Sequence, residues 1–221
     1  MLYNGGKAKK GSKAVTAVLS VLAVLLAAAA AVTWMAFNGS DDLWKKQSAE
    51  PSKALEETAV KSAVTGKEVS FSADEAGGYL NYLLQKHRSG LFSGTGYAAL
   101  KLAGGDTADI YVPVVYKGKT FGVTVNFVPS YDEKTERLVF KVKSLHVGRL
   151  PVKPSWALKA VKDKLPSGFT AEGGTVYYDM PAIEASVGAV SAEVRLTQLK
   201  AEALSFKLRA KSKVSVSFAG G

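Results

Sequence analysis

Apolar residues follow three different spacings along the chain. Residues 14–37 contain no charged side chain, residues 76–87 repeat apolar side chains at the i, i+3, i+4, i+7 spacing of a helix face, and from residue 97 onward apolar and polar residues mostly alternate. A period of two is the spacing of a strand that buries one face. The chain is therefore predicted to contain a long apolar helix, an amphipathic helix and then an antiparallel sheet.

The apolar run at residues 14–37 is long enough to cross a membrane, because a hydrocarbon core about 30 Å thick needs about 20 apolar residues in a helix. Four lysines and no acidic residue precede it in residues 1–13, which favours a cytoplasmic N-terminus. Trp34 and Phe37 stand at the other end, where aromatic rings favour the level of lipid headgroups. We predict a single-pass signal anchor in the cell membrane, with a cytoplasmic tail and an extracytoplasmic remainder.

A cleaved signal peptide is the alternative interpretation of this segment. The apolar part of a signal peptide usually covers about 7–15 residues, which is shorter than residues 14–37. Cleavage among the alanines at 27–31 would also leave an apolar new N-terminus, so the anchor is favoured. The sequence has no cysteine, so it can form neither a lipidated cysteine nor a disulfide.

The rest of the chain divides into a spacer and one domain. Residues 38–66 lack a strong hydrophobic pattern and are interpreted as a polar, flexible stalk, in which residues 52–64 could form a short polar helix. Residues 67–221 form one extracytoplasmic domain that is large enough to bury a substantial core. This domain carries 21 Lys and Arg against 14 Asp and Glu, a net charge of +7.

The amphipathic helix follows a short predicted strand at 69–71. Ser72 and Glu75 have the spacing of a capping box, so we expect the helix to begin there and to end near Ser89. Gly77 and Gly78 weaken it by about 1 kcal/mol each relative to Ala, so we infer that another backbone passes close to them. Asn81 belongs to the predicted polar side, and the predicted buried stripe consists of Ala76, Tyr79, Leu80, Leu83, Leu84 and His87.

Alternating residues predict the strands that follow. Residues 110–127 alternate on either side of a tight turn at 117–118, which indicates a hairpin. Residues 138–147 continue the pattern until it slips after Val142, as a β-bulge would make it do. Residues 204–218 alternate throughout. A single strand of these residues, at about 3.4 Å per residue, would be too long to remain flat.

The predicted fold class is α+β. The long strand needs a cover for its apolar face and the helix needs a surface for its stripe, so we expect a long, curved antiparallel sheet wrapped around that one helix. An open sandwich with its helices on one face is the alternative. Pro154 is predicted to begin a second, short amphipathic helix, and Gly173 and Gly174 indicate a further hairpin turn.

Several motifs together resemble the YpmS-like family of Gram-positive membrane proteins. They are the anchor, the strand-to-helix entry at 69–75 with Leu80-Asn81-x-Leu83-Leu84, the Phe127-Val128-Pro129 strand end, and Val147-Gly148-Arg149-Leu150-Pro151 followed by Leu158 and Leu165-Pro166. The resemblance spans nearly the whole chain. It implies location and architecture and carries over no catalytic motif. At the level of fold, a helix wrapped by a sheet also resembles one half of the tubular lipid-binding modules of periplasmic and secreted proteins.

Residues suited to catalysis or metal binding are sparse. The sequence contains no nucleophile-elbow, phosphate-loop or dinucleotide motif. His87 and His146 lack neighbouring ligands at metal spacing, and the acidic residues of 106–109 and 132–136 are typical of solvated turns. We expect no enzyme activity, no metal and no cofactor.

The candidate ligand-binding residues are apolar. The helix stripe at Tyr79, Leu80, Leu83 and Leu84 could line a groove for an acyl chain, and the alternative is that it is ordinary core.

Trp156, with Lys159 and Lys162, could cover the mouth of that groove or contact an anionic membrane surface; alternatively, Trp156 anchors a small second core. Outside the membrane the available polyanions are lipid headgroups and envelope polymers, so we expect no nucleic acid partner. The first hypothesis is a module that binds a lipid or other apolar ligand near the membrane. The alternative is a non-catalytic envelope scaffold that contacts a membrane protein or an anionic wall polymer.

Overall fold

The computed structural model describes residues 26–28, 30–32, 35–36, 49–86, 97–116, 118–165, 167–179, 183–187, 190–203 and 205–216. These residues form an α+β fold with antiparallel sheets, which confirms the predicted class. The domain begins with helix α1 (Ala54–Thr65), strand β1 (Val69–Phe71) and helix α2 (Ala73–Lys86).

The larger sheet has seven strands in the order β2-β3-β4-β5-β8-β7, with β6 paired to β5. A third helix, α3 (Pro154–Val161), and a 3-10 turn (Lys162–Lys164) connect β6 to β7. The strands are β2 (Ala99–Gly104), β3 (Thr107–Tyr116), β4 (Lys119–Asp132), β5 (Arg137–Val147), β6 (Leu150–Val152), β7 (Phe169–Glu172) and β8 (Thr175–Asp179).

The smaller sheet has the order β1-β11-β10-β9, with β9 (Ile183–Val187), β10 (Val190–Ala201) and β11 (Phe206–Val216). Two sheets therefore replace the one long sheet predicted. The hairpin of β9 and β10 was not predicted, because its residues include helix-favouring Ala and Glu and because a register shift between Leu196 and Gln198 interrupts the alternation.

Local sequence signals correspond closely to the structure. At the start of α2, the Ser72 amide donates a hydrogen bond of 2.7 Å to the Glu75 carboxylate, and the Glu75 amide donates one of 3.1 Å to Ser72 Oγ, so the capping box is confirmed. The predicted bulge in β5 is confirmed too: Asn126 pairs with Ser144 and Phe127 pairs with Val142, which leaves an extra residue between the two partners.

Residues 54–65, interpreted as part of a flexible stalk, instead form a helix that packs into the core. Ala59 is 1% exposed and Ser62 is fully buried. Ser62 Oγ donates to the Lys67 carbonyl (2.7 Å) and accepts from the Ala210 amide of β11 (3.0 Å). The buried residues of α1 are small, namely Ala59, Ser62 and Ala63, so they let the helix approach the strand closely while giving little hydrophobic signal in the sequence.

Both sheets and α1 contribute to one core. Phe71 of β1 stacks on Phe206 of β11 with ring centroids 5.3 Å apart, while Ala108 and Phe127 join from the larger sheet. Phe206, Leu208 and Ala210 are buried while Arg209 is exposed, which confirms the predicted alternation over that part of β11. The strand begins at Phe206 rather than at 204, and residues 217–218 of the predicted alternation lie outside the described residues.

The described residues between 26 and 36 are helical. Leu26 is 63% exposed and Val32 is 47% exposed, whereas Met35 and Ala36 are half-buried against the β5–β6 turn. There the Arg149 amide donates a hydrogen bond of 2.8 Å to the Met35 carbonyl. Within the described parts of the chain, no helix is both long and apolar enough to span a membrane, and the remainder of the predicted anchor falls outside them.

Candidate ligand-binding site

Helix α2 buries a different face from the one predicted. Its buried residues are Gly77, Gly78 and Asn81. The backbone of residues 49–52 crosses this face: the Ser52 amide donates a hydrogen bond of 3.0 Å to the Gly78 carbonyl, and a Cβ on Gly78 would lie 2.8 Å from the Glu50 carbonyl oxygen. The inference that another backbone passes close to the glycine pair is therefore confirmed.

Asn81 connects α2 to two other segments. It is 1% exposed, and its Nδ2 donates to the carbonyl groups of Ala49 (2.6 Å) and Ala98 (2.9 Å) while its Oδ1 accepts from the Ala98 amide (2.7 Å). The prediction that Asn81 faces solvent is wrong. A side-chain amide supplies both donors and an acceptor, so it can satisfy buried backbone groups that an apolar residue would leave unpaired.

The four apolar residues predicted to bind a ligand share one environment. Ala73 and Ala76, from the first turns of α2, pack against the core formed by the described residues. The later residues of the stripe are half-buried and lie outside that core; they are Tyr79, Leu80, Leu83 and Leu84. His87, at the end of the predicted stripe, lies outside the described residues.

The surroundings of the Tyr79 hydroxyl identify the neighbours of the α2 stripe. Burial raises the pKa of its hydroxyl, and the Glu56 carboxylate of α1, which accepts a hydrogen bond from it, raises that pKa further. Tyr178 of β8 is close enough to add a smaller effect on the same pKa. The side chain of Tyr79 therefore lies within electrostatic range of both α1 and β8, although α2 itself packs on β2.

The inner face of the seven-stranded sheet, which carries Phe127 in the core, continues beyond the core. Strand pairing places Leu138 opposite Tyr178, and Tyr178 opposite Phe169, whose ring it stacks on at 4.3 Å. Half-buried apolar side chains occupy this outer part of the face. The electrostatic effect of Tyr178 on Tyr79 links these residues to the α2 stripe, and we call the two groups together the apolar surface: Tyr79, Leu80, Leu83, Leu84, Val142, Val147, Phe169, Val176 and Tyr178.

Helix α3 packs on β5 and β7, with Leu158 buried against the sheet. Trp156 is 67% exposed, so it does not anchor a second core. Lys159 and Lys162 are also exposed. The structure thus brings Trp156 together with the two lysines on α3, whereas α2 packs on β2.

The polar clusters have structural partners. Asp109 accepts a hydrogen bond of 2.7 Å from Asn126 Nδ2 on the neighbouring strand. Asp132 accepts hydrogen bonds from the Thr135 hydroxyl (2.9 Å) and the Lys134 amide (3.0 Å), which together lower its pKa and stabilise the β4–β5 turn. In the part of the chain that the structure describes, no group of three or more His, Asp or Glu residues is arranged to hold a metal ion.

Sequence reasoning did not assign Tyr178 and Phe169 to the site. The hairpin turn at Gly173 was predicted and is confirmed, with a positive φ of 61°. The alternation of Val176 and Tyr178 after that turn was a usable signal, but it could not show that β8 pairs with β5 and so extends the inner face. Comparisons of the chain with protein-family models, with curated proteins and with solved structures found no match.

Proposed function

We propose that the chain is a single-pass, membrane-anchored extracytoplasmic module that binds a lipid or other apolar ligand close to the membrane surface. One observation carries the proposal: Leu80, Leu83 and Leu84 are half-buried outside the core, although they belong to the same stripe as Ala76, which packs against the core. Apolar side chains on α2 and on the face of the seven-stranded sheet provide the mostly hydrophobic lining that an acyl chain needs.

The N-terminal segment supports the membrane location. Leu26 and Val32 are exposed apolar residues on helical backbone, and they lie inside the uncharged run that follows the lysines of residues 1–13. Contiguous exposed apolar surface calls for an apolar cover, which a bilayer supplies. Because Met35 contacts the Arg149 turn, the segment meets the domain directly rather than through a long spacer.

Exposed basic residues support an anionic head on the ligand. Lys86 ends α2, and Lys153, Lys159 and Lys162 lie on or next to α3. Positive charge beside an apolar surface suits a phospholipid or fatty acid, because the head and the chain are then recognised separately.

The test is photocrosslinking of the full chain in cells supplied with a photoactivatable, clickable fatty acid. We expect lipid adducts on peptides from residues 73–86 and 169–178. Leu83→Trp should reduce these adducts several-fold, because the larger ring occupies the apolar surface. Adducts within residues 14–37 serve as an internal standard for contact with bulk lipid.

The matched control is Val64→Trp, which adds the same side chain at a position of α1 that is 76% exposed. This variant should keep the adducts on 73–86. Adducts confined to residues 14–37 in the unaltered chain would contradict lipid binding by the domain. That result, combined with protein crosslinks at Lys159 or Lys162, would favour the alternative of an envelope scaffold.

A further inference from the structure

We propose that the exposed face of α3 docks on the anionic headgroups of the membrane that holds the anchor; this inference rests on the anchoring in the proposed function. It identifies the surface that would orient the domain relative to the membrane lipid.

The exposed face of α3 is centred on its tryptophan. Trp156 is 67% exposed, and Lys153 and Lys159, three residues before and after it, are also exposed on the same side. Leu158 points the other way and is 8% exposed. The 3-10 turn adds exposed Lys162 next to a single acidic residue, Asp163, so the face is positive with an aromatic centre.

This face lies near the point where the N-terminal helical segment meets the domain. The Arg149 amide is bonded to the Met35 carbonyl, and Pro154 follows Arg149 by five residues. Five residues of extended chain span at most about 18 Å. The start of α3 is therefore held within that distance of the proposed exit of the chain from the bilayer.

The combination of side chains fits headgroups better than a soluble polyanion. A basic residue near an anionic bilayer contributes about 1 kcal/mol of attraction, and a polyanion in the cell wall would attract the lysines in the same way. A tryptophan gains in addition from the boundary between headgroups and hydrocarbon, which only the membrane offers. An exposed Trp156 between two lysines matches both properties of the bilayer surface, its charge and its boundary with hydrocarbon.

The experiment uses the full chain in vesicles with Trp156 as the sole tryptophan, which requires Trp34→Phe and Trp44→Phe because the sequence has three. The vesicles contain phosphatidylcholine alone or with about one third phosphatidylglycerol, and their acyl chains are brominated to quench tryptophan fluorescence at the bilayer surface. We expect several-fold stronger quenching of Trp156 with phosphatidylglycerol than without it.

Charge reversal tests the lysines. Lys159→Glu combined with Lys162→Glu should reduce the quenching to the level of phosphatidylcholine vesicles. The control pair is Lys61→Glu with Lys67→Glu, two exposed lysines of which one lies in α1 and the other shortly after it, and this pair should leave the quenching unchanged. Raising the salt concentration should weaken the quenching in the unaltered chain, because the attraction between exposed charges is screened.

Three outcomes would overturn the docking. They are no quenching in phosphatidylglycerol vesicles, equal quenching in both kinds of vesicle, and protection of Trp156 from an aqueous quencher by soluble polyphosphate without any quenching by brominated lipid. Flotation of the chain with vesicles and fatty-acid adducts on residues 73–86 report the proposed function separately. A chain that does not float overturns both proposals, whereas flotation and adducts without quenching overturn the docking alone.

Discussion

At the scale of single residues, the contacts that position α2 come from its smallest and most polar side chains. Gly78 lets the backbone of residues 49–52 cross the helix, and Asn81 binds that backbone and the start of β2. The larger apolar residues of the same helix remain half-buried. Small and amide side chains therefore fix the helix, and the large ones are left for another role.

The glycine pair gives a matched test of this arrangement. In Gly78→Ala the new Cβ would lie 2.8 Å from the Glu50 carbonyl oxygen, so we expect a loss of about 1–3 kcal/mol in the free energy of unfolding. In Gly77→Ala the nearest atoms are 3.7 Å away, so the change should be neutral or stabilise by up to about 1 kcal/mol through helix propensity. Thermal unfolding of both variants measures the difference, and equal effects would contradict the close crossing.

The glycines could be predicted from the sequence and Asn81 could not. Two glycines in a helix are unfavourable locally, so their presence already indicates a compensating contact. An asparagine on a helix gives no comparable signal, because a solvated amide and a buried one look alike until the backbone groups that need it are known.

At the scale of elements, α1 covers the long C-terminal strand, the role that the sequence predicts for α2. The helix that packs on β11 is α1, through Ala59, Ser62 and Ala63, whereas α2 packs on β2. The strand pattern predicted the β3–β4 hairpin and the bulge in β5. It could not predict which helix covers which strand, because that choice depends on how closely two backbones approach and not on hydrophobicity.

Because α1 and not α2 packs on β11, truncating two leucines should lower the free energy of unfolding by unequal amounts. Leu208 of β11 is 1% exposed, so Leu208→Ala should lower the free energy of unfolding by about 2–5 kcal/mol. Leu83 is half-buried outside the core, so Leu83→Ala should cost about 1 kcal/mol or less. Urea denaturation of the two variants measures both values. A similar large loss for Leu83→Ala would show that the α2 stripe is ordinary core.

At the scale of the whole molecule, the chain combines an apolar N-terminal run, a basic domain, and half-buried apolar side chains on α2 and on the larger sheet. The apolar N-terminal run, the charge asymmetry and the fold class could be predicted from the composition and from the spacing of apolar residues. The division into two sheets and the contact of Met35 with the Arg149 turn could not, because each depends on pairing between residues far apart in sequence.

The absence of native cysteine makes the predicted orientation directly measurable. A cysteine introduced by Lys134→Cys, in the exposed β4–β5 turn, should react with a membrane-impermeant maleimide in intact cells. A cysteine introduced by Lys10→Cys, in the predicted cytoplasmic tail, should react only after lysis. The reverse pattern would show that the orientation is inverted, and a chain recovered without membranes and trimmed near Ala31 would support the signal-peptide alternative.

The crossing of residues 49–52 over α2 also determines where mechanical tension enters the domain. A pull on the N-terminal segment is opposed first by the Met35–Arg149 hydrogen bond. Once that bond opens, the tension passes to the contact of Asn81 with Ala49 and to the Ser52–Gly78 hydrogen bond. Both contacts lie on the helix that carries Leu80, Leu83 and Leu84. Tension between the proposed membrane anchor and the domain would therefore act on the helix that carries the proposed ligand-binding residues, so force on the anchor and binding of a ligand would be coupled through α2.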